Sequence, residues 1–291
     1  MAIVAFVVFS LLYFTPGDPA AILAGDAATS DDIRRIREKL GLDQPFFVRF
    51  GGWVWSLVHG DLGTSIFTNL PVTHLIAQRV EPTLSLTLCT LIVSVALAVP
   101  LGVIAAARQN TAVDYAAMSV ALLGVSIPNF VLGPLLVLTF SLSLFWFPPA
   151  LWHGARYGVL PVITLSAIYT AYIARLTRGG MLDVLGQDYI RTARAKGLRE
   201  WRVVFGHGLK PGILPVVSFL GPATAGIVTG AIAVEAIFAV PGLGSQLRSA
   251  AFNRDYTLVL GIVLFYALAL MVLNLIVDVA YTRLDPRVQL G

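Results

Sequence analysis

Residues 83–107 read TLSLTLCTLIVSVALAVPLGVIAAA, 25 positions without a charged side chain. A helix rises about 1.5 Å per residue and the hydrocarbon core of a bilayer is about 30 Å thick, so about 20 apolar residues cross it. This stretch therefore predicts a membrane-spanning helix. Four further stretches satisfy the same criterion, and they run approximately from 116 to 144, 159 to 177, 213 to 239 and 256 to 281.

The N-terminal residues 1–14, MAIVAFVVFSLLYF, are apolar but would cover only about 21 Å as a helix. They lack the basic n-region and the small-residue cleavage site of a signal peptide. We interpret them as the C-terminal part of a first span whose start has been lost. The expected fold is an all-α membrane protein, a polytopic bundle of about six transmembrane helices. An external segment is expected at 15–82 and a transmembrane domain at 83–291.

The composition agrees with a membrane location. Of the 291 residues, 57% are hydrophobic and 12% are charged, and the mean hydropathy is +0.82. Soluble globular proteins carry roughly 25% charged residues, so this chain has too few charges to cover a soluble fold. The composition excludes an ordinary cytosolic enzyme, a disordered tail and a nucleic-acid binder. A net charge of +4 is typical of basic cytoplasmic loops in a membrane protein.

Lysine and arginine are distributed unevenly between the two sides of the predicted bundle, and this bias sets orientation in membranes. Three arginines fall in loops on one side, Arg156, Arg248 and Arg254, whereas eleven basic residues fall on the other. The basic side is expected to be cytoplasmic. Both termini would then be cytoplasmic, and segment 15–82 would lie on the external side of the membrane. The eleven residues are Arg108, Arg175, Arg178, Arg191, Arg194, Lys196, Arg199, Arg202, Lys210, Arg283 and Arg287.

Prolines and glycines interrupt the predicted spans. Membrane helices tolerate them where neighbouring helices or a water-filled cavity satisfy the freed backbone groups. Two interpretations stay open at each position: bends around a pathway, or ordinary helix packing. The residues are Pro100, Pro128, Pro134, Pro161, Pro215, Gly221, Pro222, Gly226 and Gly230.

The external segment contains two predicted helices. Thr29 and Asp32 have capping-box spacing, and Gly41 is placed to end the helix that they begin. After Pro45, aromatic and aliphatic residues repeat at intervals of three or four as far as Gly60, and such aromatic stripes favour the membrane interface. Either this pair is a platform that receives a partner or closes a pathway, or it merely caps the bundle.

The segment 178–212 is the most informative part of the sequence. It contains two predicted short helices, 181–185 and 190–195, with Gly186 and Gly197 as breaks and a basic, exposed face. A charged run of this kind is usually a solvated face that enforces topology. The order of short helix, glycine, charged surface and proline-bearing re-entry is also what a rigid docking element requires.

Within this segment, QDYIRTARAKGL at 187–198 closely resembles the cytoplasmic EAA loop of permease subunits of bacterial ABC importers. The sequence pattern of this loop is typical of the dipeptide/oligopeptide branch, and the resemblance covers nearly the whole chain. It also includes TPGDPA at 15–20, LGLDQP at 40–45, GDLGTS at 60–65, VEAIF at 234–238, PGLG at 241–244, RDY at 254–256 and DPR at 285–287. The resemblance implies that the ATPase-coupling residues are Asp188, Tyr189, Ile190, Arg191, Thr192, Ala193, Arg194, Ala195, Lys196 and Gly197.

Some positions depart from the family pattern. Arg191 stands where the broader loop consensus has glutamate, and Gly206 replaces a usual basic residue. Thr257 follows Arg-Asp-Tyr where proline is usual. Pro211 is expected to shorten the helix that enters the next span.

The resemblance implies a type I ABC importer permease fold that works by alternating access. This chain would form half of a heterodimeric pathway in the lipid bilayer with a second permease subunit. Two cytoplasmic ATP-binding subunits would dock on 183–203, with Ala193 packing into the ATPase cleft. An external solute-binding protein would deliver dipeptides or oligopeptides; glutathione and nickel complexes are the alternatives within the family. No cofactor is expected in this chain, because ATP and magnesium would bind the partner subunits.

The sequence gives no sign of catalysis. It has no Gly-x-x-x-x-Gly-Lys-Ser/Thr motif, no metal-site spacing among its four histidines and single cysteine, and no nucleophile elbow. Glu235, Asn274 and Asp278 lie at the fringes of predicted spans, where ionisable residues are functional candidates. Glu235 could equally pair with a loop arginine to fix the end of its span. The rival class, a stand-alone ion-coupled carrier or channel, would predict several acids or histidines deep in the spans.

Overall fold

The computed structural model describes residues 1–25 and 27–284, without the side chains of 278 and 280–284. Within those residues the regular structure is helical, and one isolated antiparallel bridge joins Thr64 to Pro71. The helices are α1 (Ala2–Phe14), α2 (Pro19–Ala24), α3 (Ser30–Lys39), α4 (Phe46–Val58), α5 (Val72–Ala107), α6 (Ala112–Ser126), α7 (Asn129–Leu136), α8 (Ala155–Leu185), α9 (Asp188–Ala195), α10 (Leu209–Gly212), α11 (Leu214–Ile237), α12 (Leu243–Phe252) and α13 (Tyr256–Leu284). Two π-helical segments are π1 (Val137–Ser143) and π2 (Arg202–Gly208).

Four helices, α5, α8, α11 and α13, are long and apolar enough to cross a membrane. A fifth span results if α6 and the helix formed by α7 and π1 are counted together, although they meet at a bend of 103°. The predicted span over 116–144 is therefore a bent pair of helices, and of the two interpretations left open at Pro128 the structure has the bend. Pro128 explains the bend, because proline disfavours helical conformation in the residue before it. Ile127 accordingly has extended backbone angles, with φ −98° and ψ 114°.

Other helix bounds differ from the sequence expectation at their ends. Helix α5 begins at Val72, eleven residues before 83, and α8 extends beyond the predicted 159–177 at both ends. The predicted short helix 181–185 is thus the last part of α8 rather than a separate element. Helix α1 has 13 residues and falls short of the length required for a span.

The chain divides into two compact units. The first contains Met1–Thr83 and Pro241–Leu270, and the second contains Leu84–Val240 with the residues from Met271 onward. In the first unit, α1 packs on α4 through Phe9, whose ring centre lies 5.5 Å from Phe46 and 5.3 Å from Phe50. A second apolar cluster of this unit contains Val72, Leu75, Ile76, Leu243, Ala250, Leu258, Val259 and Ile262.

The predicted helix signals of the first unit are confirmed. Thr29 caps α3 by accepting a 3.3 Å hydrogen bond from the Asp32 N–H, and Asp32 Oδ2 accepts one of 3.1 Å from the Thr29 N–H. Gly41 follows α3 with φ +64°, a conformation that favours glycine. The aromatic stripe after Pro45 forms α4.

In the second unit, α8 packs against α6, α7, α10 and α11. Its contact with α11 depends on small residues, since a Cβ atom at Gly226 would lie 2.5 Å from Tyr169 Oη and one at Gly230 would lie 2.9 Å from Leu165. Small residues allow membrane helices to approach closely in this way. The helix-packing interpretation therefore holds at these two glycines.

Candidate functional site

The basic segment, residues 178–212, contains the end of α8, α9, π2 and α10. Gly186 ends α8, and Gln187 leads into α9 with extended backbone angles. Gly197 ends the following turn with φ +75°, and its N–H donates a 2.9 Å hydrogen bond to the Arg194 carbonyl. The predicted helix at 190–195 and both glycine breaks are thus confirmed, with α9 beginning two residues earlier than expected.

The inner face of α9 is buried within the chain itself. Ile190 is 0% exposed and Ala193 is 8% exposed, and both pack with Val203 of π2. Residues three apart on a helix share one face, so a buried Ile190 places Ala193 beside it. The expectation that Ala193 enters a partner's cleft is therefore corrected, because its methyl group contacts this chain.

The outer face of α9 is free for a partner. Arg191 donates a 3.1 Å hydrogen bond to Asp188 across one helical turn, and the two side chains are 73% and 94% exposed. Tyr189 is 48% exposed. The exposed coupling residues predicted from the sequence are Asp188, Tyr189, Arg191, Thr192, Arg194, Ala195, Lys196 and Gly197.

An ion pair closes the loop that follows α9. Arg194 Nη2 lies 2.7 Å from Glu200 Oε1, and Arg194 Nε lies 3.2 Å from Glu200 Oε2. The hydrogen bonds from Arg194 lower the pKa of the Glu200 carboxyl below its usual value. They raise the pKa of Arg194 in turn. The pair bridges residues 195–199, although it is too exposed to contribute much stability.

The basic segment is anchored to two long helices. Val204 of π2 packs in a buried cluster with Met181 of α8 and with Val103 and Ala106 of α5. A displacement of α9 would therefore be passed through packed side chains to α5 and α8. Pro211 lies in the four-residue helix α10, and Ile213 separates α10 from α11. The helix that enters the next span therefore begins only after Pro211, in agreement with the expected shortening.

The sequence reasoning missed a buried ion pair beside this segment. Arg178 of α8 donates to both carboxylate oxygens of Asp114, which is 1% exposed at the start of α6. Asp114 also accepts a 3.0 Å hydrogen bond from the Asn110 N–H. The sequence marks Arg178 only as a charge that orients the chain in the membrane. The available signal for the pair is Asp114, which is the one acidic residue of α6.

The three polar residues at the fringes of the spans have different surroundings. Glu235 is fully buried near the end of α11. Asn274 is exposed on α13, and its Oδ1 would lie 3.0 Å from a Cβ atom at Gly221. The side chain of Asp278 lies outside the described part of the chain.

Three of the family-like motifs converge in the first unit. Asp255 is 2% exposed and accepts hydrogen bonds from the Ser65 hydroxyl and, at 3.2 Å, from the Ile66 N–H. The neighbouring Arg254 donates to the Pro16 carbonyl, and the Tyr256 hydroxyl lies 3.4 Å from the Gly17 carbonyl. Residues 15–20, 60–65 and 254–256 are therefore one structural assembly.

Comparison with known proteins agrees with this architecture. The model of the family described as binding-protein-dependent transport system inner membrane component matches residues 98–290, and the model of its N-terminal part matches residues 1–87. The chain belongs to this family, and it is thus a multi-pass inner-membrane permease component of an ABC importer.

Individual relatives are similar over almost their full length. A probable peptide ABC transporter permease protein of Sinorhizobium fredii is 40% identical, with 99% of this chain and 95% of the relative covered. The glutathione transport system permease protein GsiC of Salmonella choleraesuis is 39% identical over 99% of this chain and 94% of its own. A solved amino acid ABC transporter matches with TM-score 0.53 and 17% identity, over 72% of this chain and 94% of that chain, which supports the fold.

Proposed function

We propose that this chain forms half of the translocation pathway of an ATP-driven peptide importer and that the basic segment couples it to cytoplasmic ATPase subunits. The remaining partners would be a second permease subunit and an external solute-binding protein. The basic segment and both termini would be cytoplasmic, and segment 15–82 would face the binding protein. ATP and magnesium would bind the partner subunits.

The observation that carries this proposal is the two-sided character of α9. Its inner residues Ile190 and Ala193 are buried against π2, and its outer residues, which include two arginines and an aspartate, are exposed. A solvated loop that only enforced topology would need no buried inner face. A helix fixed in this way can instead transmit force from a partner to the spans.

Docking can be tested by truncating the outer face in the complete complex. We expect Arg191→Ala and Tyr189→Ala each to reduce ATP-dependent uptake and transport-stimulated ATP hydrolysis at least about fivefold, since exposed arginine and tyrosine side chains dominate interface energetics. Both variants should remain at normal levels in the membrane, because neither side chain is buried.

Arg34→Ala is the matched control for Arg191→Ala. Arg34 is 70% exposed and pairs with Asp31 across one turn of α3, so its truncation removes an equivalent surface ion pair in the segment assigned to the other side. Arg34→Ala should leave ATP hydrolysis unchanged. Normal coupling in both Arg191→Ala and Tyr189→Ala would contradict the docking role of α9.

Peptide cargo is proposed from the names of the relatives. One relative is named a probable peptide permease and another a glutathione permease, and glutathione is itself a short peptide. Uptake of radiolabelled dipeptides and oligopeptides by cells that express the complex, with labelled glutathione as competitor, would separate these cargoes. Transport of peptides without nucleotide-binding partners would instead support a stand-alone carrier.

A further inference from the structure

The first unit contains a cavity that the proposed transport function does not use. Its volume is about 730 Å³, and it lies between α3, α4, residues 63–69 and the first residues of α13. Cavities of about 300–1,000 Å³ are typical of small-molecule sites. Its lining residues include two cations, Lys39 and Arg49, and none of them is an aspartate or a glutamate.

Arg49 is the central charge of this cavity. Its guanidinium lies 5.3 Å from the centre of the Tyr13 ring, and no carboxylate among the described residues lies within 4.0 Å of it. Burial lowers the pKa of Arg49. A partly buried cation without a counter-ion is unfavourable, so this position favours the entry of an anion.

Two acids that share a smaller cavity with Arg49 pair with another arginine. Asp18 and Asp43 line a smaller cavity of about 280 Å³ on the other side of Arg49. Both pair with Arg37, whose Nη2 lies 2.5 Å from Asp18 and whose Nε lies 4.0 Å from Asp43. Among the described residues, neither of these two carboxylates therefore forms an ion pair with Arg49 or Lys39.

Besides Lys39 and Arg49, the cavity is lined by apolar residues and by uncharged polar residues, which are Gln44, Thr64, Ser65, Asn69 and Thr257. Ile36, Val48 and Trp53 line it, and so do Tyr256 and Leu260 from the first two turns of α13. Helix α13 is long and apolar enough to cross a membrane from Tyr256 onward, and a span that begins there would place Tyr256 near a membrane interface. Tryptophan and tyrosine are enriched at that depth.

We propose that this cavity binds an anionic phospholipid. The phosphate would contact the Arg49 guanidinium, with Lys39 as a second cation, and the adjoining apolar groups would lie against Trp53 and Leu260. Arginine suits this role because its planar fork donates two parallel hydrogen bonds to a phosphate.

The test is lipid retention by the complete complex. The complex is purified in detergent with equal amounts of phosphatidylglycerol and phosphatidylcholine, and the bound lipids are counted by native mass spectrometry. We expect phosphatidylglycerol to be retained at least about fivefold over phosphatidylcholine in the wild type. Arg49→Gln should bring this ratio near one, whereas Arg49→Lys should restore part of it.

Controls separate this site from general surface charge. Arg34→Gln removes an exposed charge outside the cavity and should leave the lipid ratio unchanged. Lys39→Gln changes an exposed side chain, so this variant should fold. It should lower the lipid ratio, and it tests the site even if the Arg49→Gln variant does not fold. Equal retention of the two lipids by the wild type, or an equal loss in Arg34→Gln, would overturn the proposal. Displacement of the lipid by water-soluble glycerol phosphate at similar concentration would assign the site to a soluble phosphate ester and would also overturn it.

Discussion

Arg178 and Asp114 form a bidentate ion pair in which Nε lies 2.6 Å from Oδ1 and Nη2 lies 2.7 Å from Oδ2. The carboxylate is 1% exposed and the arginine is 26% exposed. The two residues are 64 positions apart in sequence. Because Arg178 lies seven residues before the end of α8, the pair holds the start of α6 against the helix that leads into the basic segment.

Asp114→Asn should therefore destabilise the protein strongly. Removing one partner of a buried pair costs roughly 3–5 kcal/mol, and we expect the lower end because Arg178 retains contact with water. Thermal unfolding of the purified complex measures this loss. Arg194→Gln breaks an exposed pair and should cost no more than about 1 kcal/mol. Equal effects of the two variants would show that the Asp114 pair is not a stabilising contact.

The Arg194–Glu200 pair predicts a dependence on pH. The pKa of Glu200 is lowered from its ordinary value of 4.5 in the folded chain, so the unfolded chain binds the proton first as the pH falls. The contribution of the pair is present above that ordinary value and is lost as the pH falls through the folded value. Its size is at most about 1 kcal/mol, because the two side chains are 42% and 60% exposed.

Comparison of the wild type with Glu200→Gln measures this contribution. The difference in unfolding temperature between the two proteins should be largest at pH 7 and should shrink towards zero as the pH falls below 4.5 and through the lower pKa of the folded carboxyl. A difference that grew on acidification would contradict the assignment of Glu200 as the anionic partner.

Gly197→Pro should uncouple transport from ATP hydrolysis. Proline fixes φ near −65°, whereas Gly197 has φ +75° and donates its N–H to the Arg194 carbonyl. The turn after α9 would have to rearrange, and the Arg194–Glu200 pair with it. We expect loss of uptake with normal membrane insertion, measured in the same vesicles.

Gly206→Ala is the control for this substitution. Gly206 lies in the same segment, and a Cβ atom there meets no atom within 4 Å. It should transport normally, and normal transport by Gly197→Pro as well would remove the turn from the coupling mechanism.

The parts of this molecule that were predictable are governed by local chemistry. The capping box at Thr29 and Asp32 involves neighbouring residues, and so do the turns at Gly186 and Gly197. The spans were located from the length of their apolar stretches, because the length that a span requires depends only on the thickness of the bilayer. The resemblance of 187–198 to a known loop located the candidate site.

The parts that were missed depend on pairing between distant residues. Nothing near Asp114 in the sequence identifies Arg178 as its partner. Ala193 is buried because it packs with Val203, which lies outside α9. The sequence of α9 alone therefore does not show this burial. Pro128 is a different case, because the sequence marked it as a possible bend and left open only the choice between a bend and ordinary helix packing, and the structure has the bend.

The contact between Ser65 and Asp255 gives a final prediction about how the motifs stabilise the fold. Asp255 is nearly inaccessible and accepts hydrogen bonds from the Ser65 hydroxyl and from the N–H groups of Ile66 and Leu258. Asp255→Ala leaves three donors without their acceptor, whereas Ser65→Ala leaves the carboxylate with its two N–H donors and removes the acceptor of one N–H group, that of Thr68. A buried polar group that loses its partner costs roughly 1–3 kcal/mol.

Asp255→Ala should therefore lower the unfolding temperature of the complex more than Ser65→Ala. In the double variant the two losses should be less than additive, because both substitutions remove the same contact. Fully additive losses would mean that the serine and the carboxylate stabilise the first unit independently. In that case residues 60–65 and 254–256 would have to be held together by their apolar neighbours, such as Leu62 and Leu258, which belong to one apolar cluster.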